Sequence, residues 1–266
     1  MRILHPEGRM RRLLAVCLVL SLCLTGCVSA PPPASSEAAP IPVRRLQAAE
    51  KRDGGVFLRK HAAFLQRAQE GPVDLLFLGD SITEGWGKAP AVWQQHYGSL
   101  RAANFGIGGD RVEHVLWRLD NGELDRIRPR VIVLMIGTNN SASQRGEDIA
   151  AGVRDIVATL HAKSPVSRVL LLGIFPRGPR KNADGSPDDA VRRMEAIRTA
   201  NASLAKLDDG QRVRYLDIGE RFLVDGRIPS DVMPDQLHPA VKGYEIWAAA
   251  MQPLLTQMLA APVGPD

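Results

Sequence analysis

Val73-Asp74-Leu75-Leu76-Phe77-Leu78-Gly79-Asp80-Ser81-Ile82-Thr83-Glu84-Gly85 decides how this chain is read. Residues 73–78 form a short, nearly unbroken apolar run that Gly79 and Asp80 close, which is the pattern of a strand buried on both faces. Such strands belong to parallel sheets with helices on each side. The same pattern recurs at 101–104, 131–136 (VIVLMI), 168–173 (RVLLLG) and 213–216. Helix-forming stretches fill the gaps at 46–69, 91–97, 112–119, 148–163 and 190–207, and a last one follows at 241–259. Strand and helix in alternation predict an α/β protein, a three-layer α/β/α sandwich around a mostly parallel five-stranded sheet. In open sheets of this kind the functional groups collect where strands end and the chain leaves for the next helix.

Ser81 stands at such an exit. A serine just past a strand can expose its hydroxyl and receive backbone N–H groups from the turn, yet Gly-Asp-Ser alone reads equally well as a turn with an N-capping serine. Thr83 rules out the G-x-S-x-G elbow, which counts against the α/β-hydrolase fold. The second exit is Asn104-Phe105-Gly106-Ile107-Gly108-Gly109-Asp110. Its spacing is not G-x-G-x-x-G and no acid follows at the next strand end, so a dinucleotide or flavodoxin-like nucleotide site is disfavoured. Glycine here lets the backbone approach a reacting group and point an N–H at it. The third exit, Gly137-Thr138-Asn139-Asn140, brings carboxamides to the same rim, although Asn is also a common turn former. Near the C-terminus, Asp235-Gln236-Leu237-His238 places a carboxylate three residues before a histidine, where it can fix the imidazole tautomer. Of the six histidines only His238 has this setting; without the other exits it would read as a surface residue in a polar loop.

Taken together, these four segments resemble the sequence blocks of the SGNH (GDSL-like) hydrolase family, whose fold is flavodoxin-like. The stretch 104–119 (NFGIGGDRVEHVLWRL), Asn121-Gly122-Glu123-Leu124 and Gly137-Thr138-Asn139-Asn140 are especially similar to the platelet-activating-factor acetylhydrolase Ib branch, and the likeness runs from about residue 74 to 247. Asn140 departs from the Asp that many family members carry there, as that branch also does. The resemblance implies a serine ester hydrolase with Ser81 as nucleophile, His238 as base and Asp235 behind it. It gives the oxyanion hole to the backbone N–H groups of Ser81 and Gly109 and to the Asn139 side chain. It further implies a pocket for a short acyl group bordered by Ile82, Thr138 and Leu237. Neither cofactor nor metal is needed for that chemistry. Acetylated glycans, lysophospholipids and small esters all fit as substrates; the alternative reading is a non-catalytic envelope lipoprotein that uses the fold to bind glycan or a partner. Trp86, Trp93 and Trp117 could stack on a sugar, but their helical spacing is that of core residues.

The termini carry a different message. Net charge is +5, and residues 1–26 hold four arginines against one glutamate, so most of the excess lies in the leader and no basic run interleaved with aromatics points to nucleic acid. Arg11 and Arg12 precede an apolar run at 13–24, too short to span a bilayer and suited to a signal peptide. It ends in Leu24-Thr25-Gly26-Cys27, which looks like a lipobox with Cys27 as the lipidated residue; Met10, directly before Arg11, is a candidate start. All three cysteines lie in this leader, which leaves the body without disulfide or thiolate metal site. The expected organisation is a signal peptide at 1–27, a Pro/Ala/Ser-rich tether at 28–45 and a hydrolase domain at 46–262. The tether composition cannot form a core. The expected location is the cell envelope, lipid-anchored to the outer membrane and facing the periplasm, because Val28 rather than aspartate follows the cysteine. Oligomeric state is not legible.

Overall fold

A computed structural model describes residues 55–181 and 185–261, all within the unit Ala38–Asp266. Five strands, β1 (Leu75–Gly79), β2 (Ala102–Gly106), β3 (Val131–Met135), β4 (Arg168–Leu172) and β5 (Val213–Leu216), form one sheet in the order β2-β1-β3-β4-β5. Every neighbouring pair is parallel, with Leu75 opposite both Ala102 and Val131. The helices are α1 (Val56–Gln69), α2 (Ser81–Glu84), α3 (Pro90–Tyr97), α4 (Val112–Asp120), α5 (Gly146–Lys163), α6 (Ala190–Leu204) and α7 (Val241–Ala260).

Alternation along each strand divides the core into two layers, because successive side chains point to opposite faces. Leu76, Leu78, Ile132, Leu134, Val169 and Leu171 pack on one face with Val115, Leu119, Val153, Ile156 and Leu160 of α4 and α5. Leu75, Phe77, Val131, Val133, Leu170 and Leu172 pack on the other with Trp86, Tyr97, Tyr244, Trp247 and Met251. The three-layer α/β/α sandwich expected from the sequence is therefore the fold. Trp86 is buried against Phe77, Tyr244 and Trp247, while Trp117 packs at a tilt on Phe57 and edgewise on His61 of α1. The tryptophans thus serve the packing.

Some boundaries differ from the sequence expectation. The described part of the first helix is Val56–Gln69, preceded by Gly55 at φ +85° in left-handed backbone; residues 46–54 lie outside the described residues. Strand β2 extends two residues past Asn104, through Gly106, pairing residue for residue with β1 up to Gly79. The helix expected to run to 207 gives way after Leu204 to a 3-10 turn, Ala205–Leu207.

One contact seats the first rim loop. A Cβ added at Gly106 would lie 2.2 Å from the Glu84 backbone nitrogen, so the end of β2 rests directly on the backbone of α2. Asn104 strengthens the same junction: its Nδ2 donates to Thr83 O (2.8 Å), and its Oδ1 accepts from the Gly106 N–H (2.9 Å). From the other side, the Tyr244 hydroxyl donates to Ile82 O (2.8 Å). Because the obstacle at Gly106 is backbone, Gly106→Ala should destabilise the protein by about 3 kcal/mol, the upper end for overpacking. A denaturant-midpoint shift at unchanged slope measures this. The control Gly87→Ala, where a Cβ meets nothing within 4 Å, should move the midpoint little.

Candidate active site

The strand order reverses between β1 and β3, so a crevice opens beyond their carboxyl ends. Ser81 is the first residue of α2, immediately after β1. Asp80 caps that helix by accepting the Ile82 N–H on Oδ1 (3.0 Å), which leaves the Ser81 side chain free to face the rim. Its Oγ lies 2.9 Å from His238 Nε2. On the far side of the ring, His238 Nδ1 is 2.7 Å from Asp235 Oδ2. Asp235 Oδ1 accepts two backbone N–H groups, from Leu237 (3.2 Å) and His238 (2.7 Å).

Burial tends to raise the Asp235 pKa, but the backbone and ring donors of His238, its charge and Arg180 outweigh it, and the pKa falls below the ordinary carboxylate value. An ionised Asp235 holds the proton on Nδ1, so Nε2 is the acceptor for the serine hydroxyl. The main chain pays for this geometry at Gln236, a non-glycine residue at φ +62°. Its carbonyl accepts the Gly178 N–H (2.9 Å) and its side chain donates to Ile228 O (3.2 Å).

The other expected residues are distributed as follows. Gly109 is exposed in the β2–α4 turn at φ +74°, a conformation that favours glycine. A Cβ on the preceding Gly108 would come within 3.8 Å of Ser81 Cβ, so this turn runs beside the serine. Asn139, at the exit of β3, donates through Nδ2 to Asp110 O (2.7 Å), which joins the second and third rim loops. Ile82, Thr138 and Leu237 are all buried, Ile82 and Leu237 within the second core layer. Cys27 lies outside the described residues.

Several contributors, Asn140 apart, carry no signal in the sequence pattern. Glu84 accepts the Gly108 N–H (2.6 Å) and pairs with Lys60 of α1. Arg118 is wholly buried and donates to Phe105 O (2.9 Å) and Gly79 O (3.4 Å), while pairing with Glu123 (2.7 Å) and Asp110 (3.1 Å). Arg177 reaches Thr138 Oγ1 (3.3 Å) and pairs with Asp188, as does Arg193 (2.5 Å). Asn140 accepts the Val112 N–H (3.0 Å) and donates to Glu113 (2.9 Å) and Gln144 (3.0 Å). The Glu113 contact gives the Asn140 departure a physical reason: an aspartate there would set a second carboxylate against Glu113.

A serine hydroxyl against a carboxylate-held imidazole, at the rim of a doubly wound sheet, defines the chain as a serine hydrolase. Comparison with known proteins gives the family: residues 77–246 match the GDSL-like Lipase/Acylhydrolase family, and the chain belongs to it. It is 34% identical over 226 residues to platelet-activating factor acetylhydrolase IB subunit alpha1 of Rattus norvegicus, covering 85% of this chain and 91% of the relative. The alpha2 subunit of the same species is 35% identical over 204 residues, 76% of this chain and 85% of the relative. Among solved structures, a GDSL-like lipase from Bacteroides thetaiotaomicron superposes with a TM-score of 0.59 at 18% identity, over 76% of this chain and 98% of that one, a likeness of fold. The chain is a serine esterase of the SGNH/GDSL class acting on small esters.

Asp80, fully buried beneath Ser81, has its pKa raised from 3.8 to about 7, chiefly by burial and further by the nearby Asp110 charge. Between those two values the folded chain keeps a proton that the unfolded chain gives up, so stability falls as pH rises through this window. Asparagine cannot ionise. Asp80→Asn should therefore gain stability relative to the parent between pH 5 and pH 8, read from paired denaturant midpoints; a difference independent of pH would contradict the burial argument.

Proposed function

We propose that Ser81, His238 and Asp235 are the catalytic triad and that the enzyme works through an acyl-enzyme. His238 Nε2 takes the Ser81 proton as Oγ attacks the ester carbonyl, then delivers it to the departing alkoxide. Water, deprotonated by the same nitrogen, cleaves the acyl-serine. Asp235 orients the ring and stabilises the imidazolium while staying ionised. The N–H groups of Ser81 and Gly109 and the Asn139 amide receive the oxyanion, whose charge develops only in the tetrahedral state. The observation that carries this reading is the unbroken Ser81–His238–Asp235 relay, 2.9 and 2.7 Å, between residues 157 positions apart in sequence.

The acyl group we assign is short, acetyl above all. Ile82, Thr138 and Leu237 would border its pocket, and their burial favours a fixed floor over a movable flap. The similarity to acetylhydrolase subunits supports the same choice. O-acetylated glycans and lysophospholipids are the substrate classes we favour. We further propose that residues 1–27 direct export, that Cys27 carries a lipid, and that residues 28–45 tether the domain, 46–262, to the outer membrane on its periplasmic side.

Ser81→Ala should lower turnover of p-nitrophenyl acetate at least ~10⁴-fold with an unchanged melting temperature. Asn139→Ala should cost about 100-fold to 1000-fold, mostly in kcat. A stoichiometric burst of p-nitrophenol, blocked by a serine-directed phosphonate, separates this enzyme from a binding protein on the same fold. Esterase activity surviving in Ser81→Ala would remove the nucleophile assignment. Across acetyl, butyryl and longer esters, kcat/KM should fall with chain length; a preference for long chains would refute the small pocket.

A further inference from the structure

Asp235 has a second partner besides the histidine, and this one is a cation. Arg180 Nη2 donates to Asp235 Oδ2 at 2.9 Å, the same oxygen that receives His238 Nδ1 at 2.7 Å. Arg180 reaches it from a hairpin between β4 and α6 that is built to hold this position. The Asp188 N–H donates to Arg180 O (2.8 Å), and Lys181 bridges antiparallel to Pro187. The Asp188 carboxylate is gripped by both Arg177 and Arg193. The Gly178 N–H fastens the hairpin to Gln236 O, one residue from Asp235, and a side chain at Gly178 would collide with Gln236 Oε1 at 2.3 Å. The hairpin and the Asp235–His238 loop are thus packed as one piece.

We propose that Arg180 is a positioning residue that tunes the base: by sharing Oδ2 it offsets part of the Asp235 charge and keeps His238 able to accept the serine proton at lower pH. This rests on the triad reading above. The physical basis is simple. The imidazolium that forms when His238 takes a proton is stabilised by the Asp235 anion, and a guanidinium on the same oxygen reduces that stabilisation and adds direct repulsion. The arginine side chain is one-quarter exposed and the aspartate about two-fifths, so solvent screens the effect to a fraction of a buried pair's.

Other charged groups surround the pair and set the controls. Asp80 lies beneath Ser81 at the exit of β1, and Asp110 stands behind Asn139 at the exit of β2. Arg177 and Asp188 belong to the hairpin itself, and Asp231 is bonded to Lys242 at the start of α7. Asp80 ionises near the working range, so it could place a limb of its own in a pH profile.

The test is the kcat/KM–pH profile for p-nitrophenyl acetate of the parent, Arg180→Gln and Arg180→Lys, each also in an Asp80→Asn background. Arg180→Gln should move the acid limb upward by about half a pH unit, leave KM unchanged and keep plateau kcat within about 3-fold. Arg180→Lys should return the limb most of the way, and salt should move the parent limb toward that of Arg180→Gln. The shift should persist with Asp80→Asn. Coincident limbs for parent and Arg180→Gln would overturn the proposal, as would equal losses of plateau kcat in both variants without a limb shift, the mark of a hairpin that merely packs. Failure of the triad reading looks different: Ser81→Ala would then remain active whatever Arg180 does.

Discussion

The rim of the sheet depends on one buried guanidinium. Arg118 sits at the end of α4 with no solvent exposure and spans the carboxyl ends of two strands, donating to Gly79 O of β1 and Phe105 O of β2. It pairs with both Asp110 and Glu123, which are also fully buried. Taking such ions out of water costs several kcal/mol each, which the carbonyl and carboxylate partners of Nη1 and Nη2 and the ion pair at Nε offset. What that cost secures is position. Asp110 follows Gly109 directly, and its own carbonyl receives the Asn139 amide, so Arg118 links the exits of β1 and β2 directly and that of β3 through Asp110 and Asn139.

From that brace the geometry of the reacting groups follows in short steps. Glycine at 106 lets β2 close onto the backbone of α2, Asn104 and Tyr244 tie α2 from opposite sides, and Ser81 is fixed as its first residue. The histidine arrives from the far end of the chain on a loop in which Gln236 stands at positive φ and is held by the β4–α6 hairpin. Rigid elements carry Ser81 and the turns beside it; a loop packed onto them carries His238. Preorganisation of this kind leaves little to rearrange when charge develops on the substrate.

The strands and their burial were legible because near-continuous apolar runs bounded by Gly, Asp and Asn have few other readings, as at 131–136. Serine, glycine, asparagine and histidine at successive exits were legible because they are local signals whose meaning comes from recurrence at one sheet edge. The supporting charges were not. Arg118 meets carbonyls 13 and 39 residues away, and Arg180 meets a carboxylate 55 residues away. Periodicity cannot distinguish an arginine on a buried helix face from one in solvent, so α4 reads as an ordinary amphipathic helix. The left-handed backbone at Gly55 was not legible for a related reason: composition does not record φ.

Covalent trapping reaches the heart of the account. Incubation with a fluorophosphonate, followed by intact-mass and peptide mapping, should give one adduct per chain on the peptide that contains Ser81, and His238→Gln should slow its formation by orders of magnitude. An adduct on another serine, or labelling of Ser81 at the same rate without the imidazole, would contradict the activated hydroxyl on which the site is built.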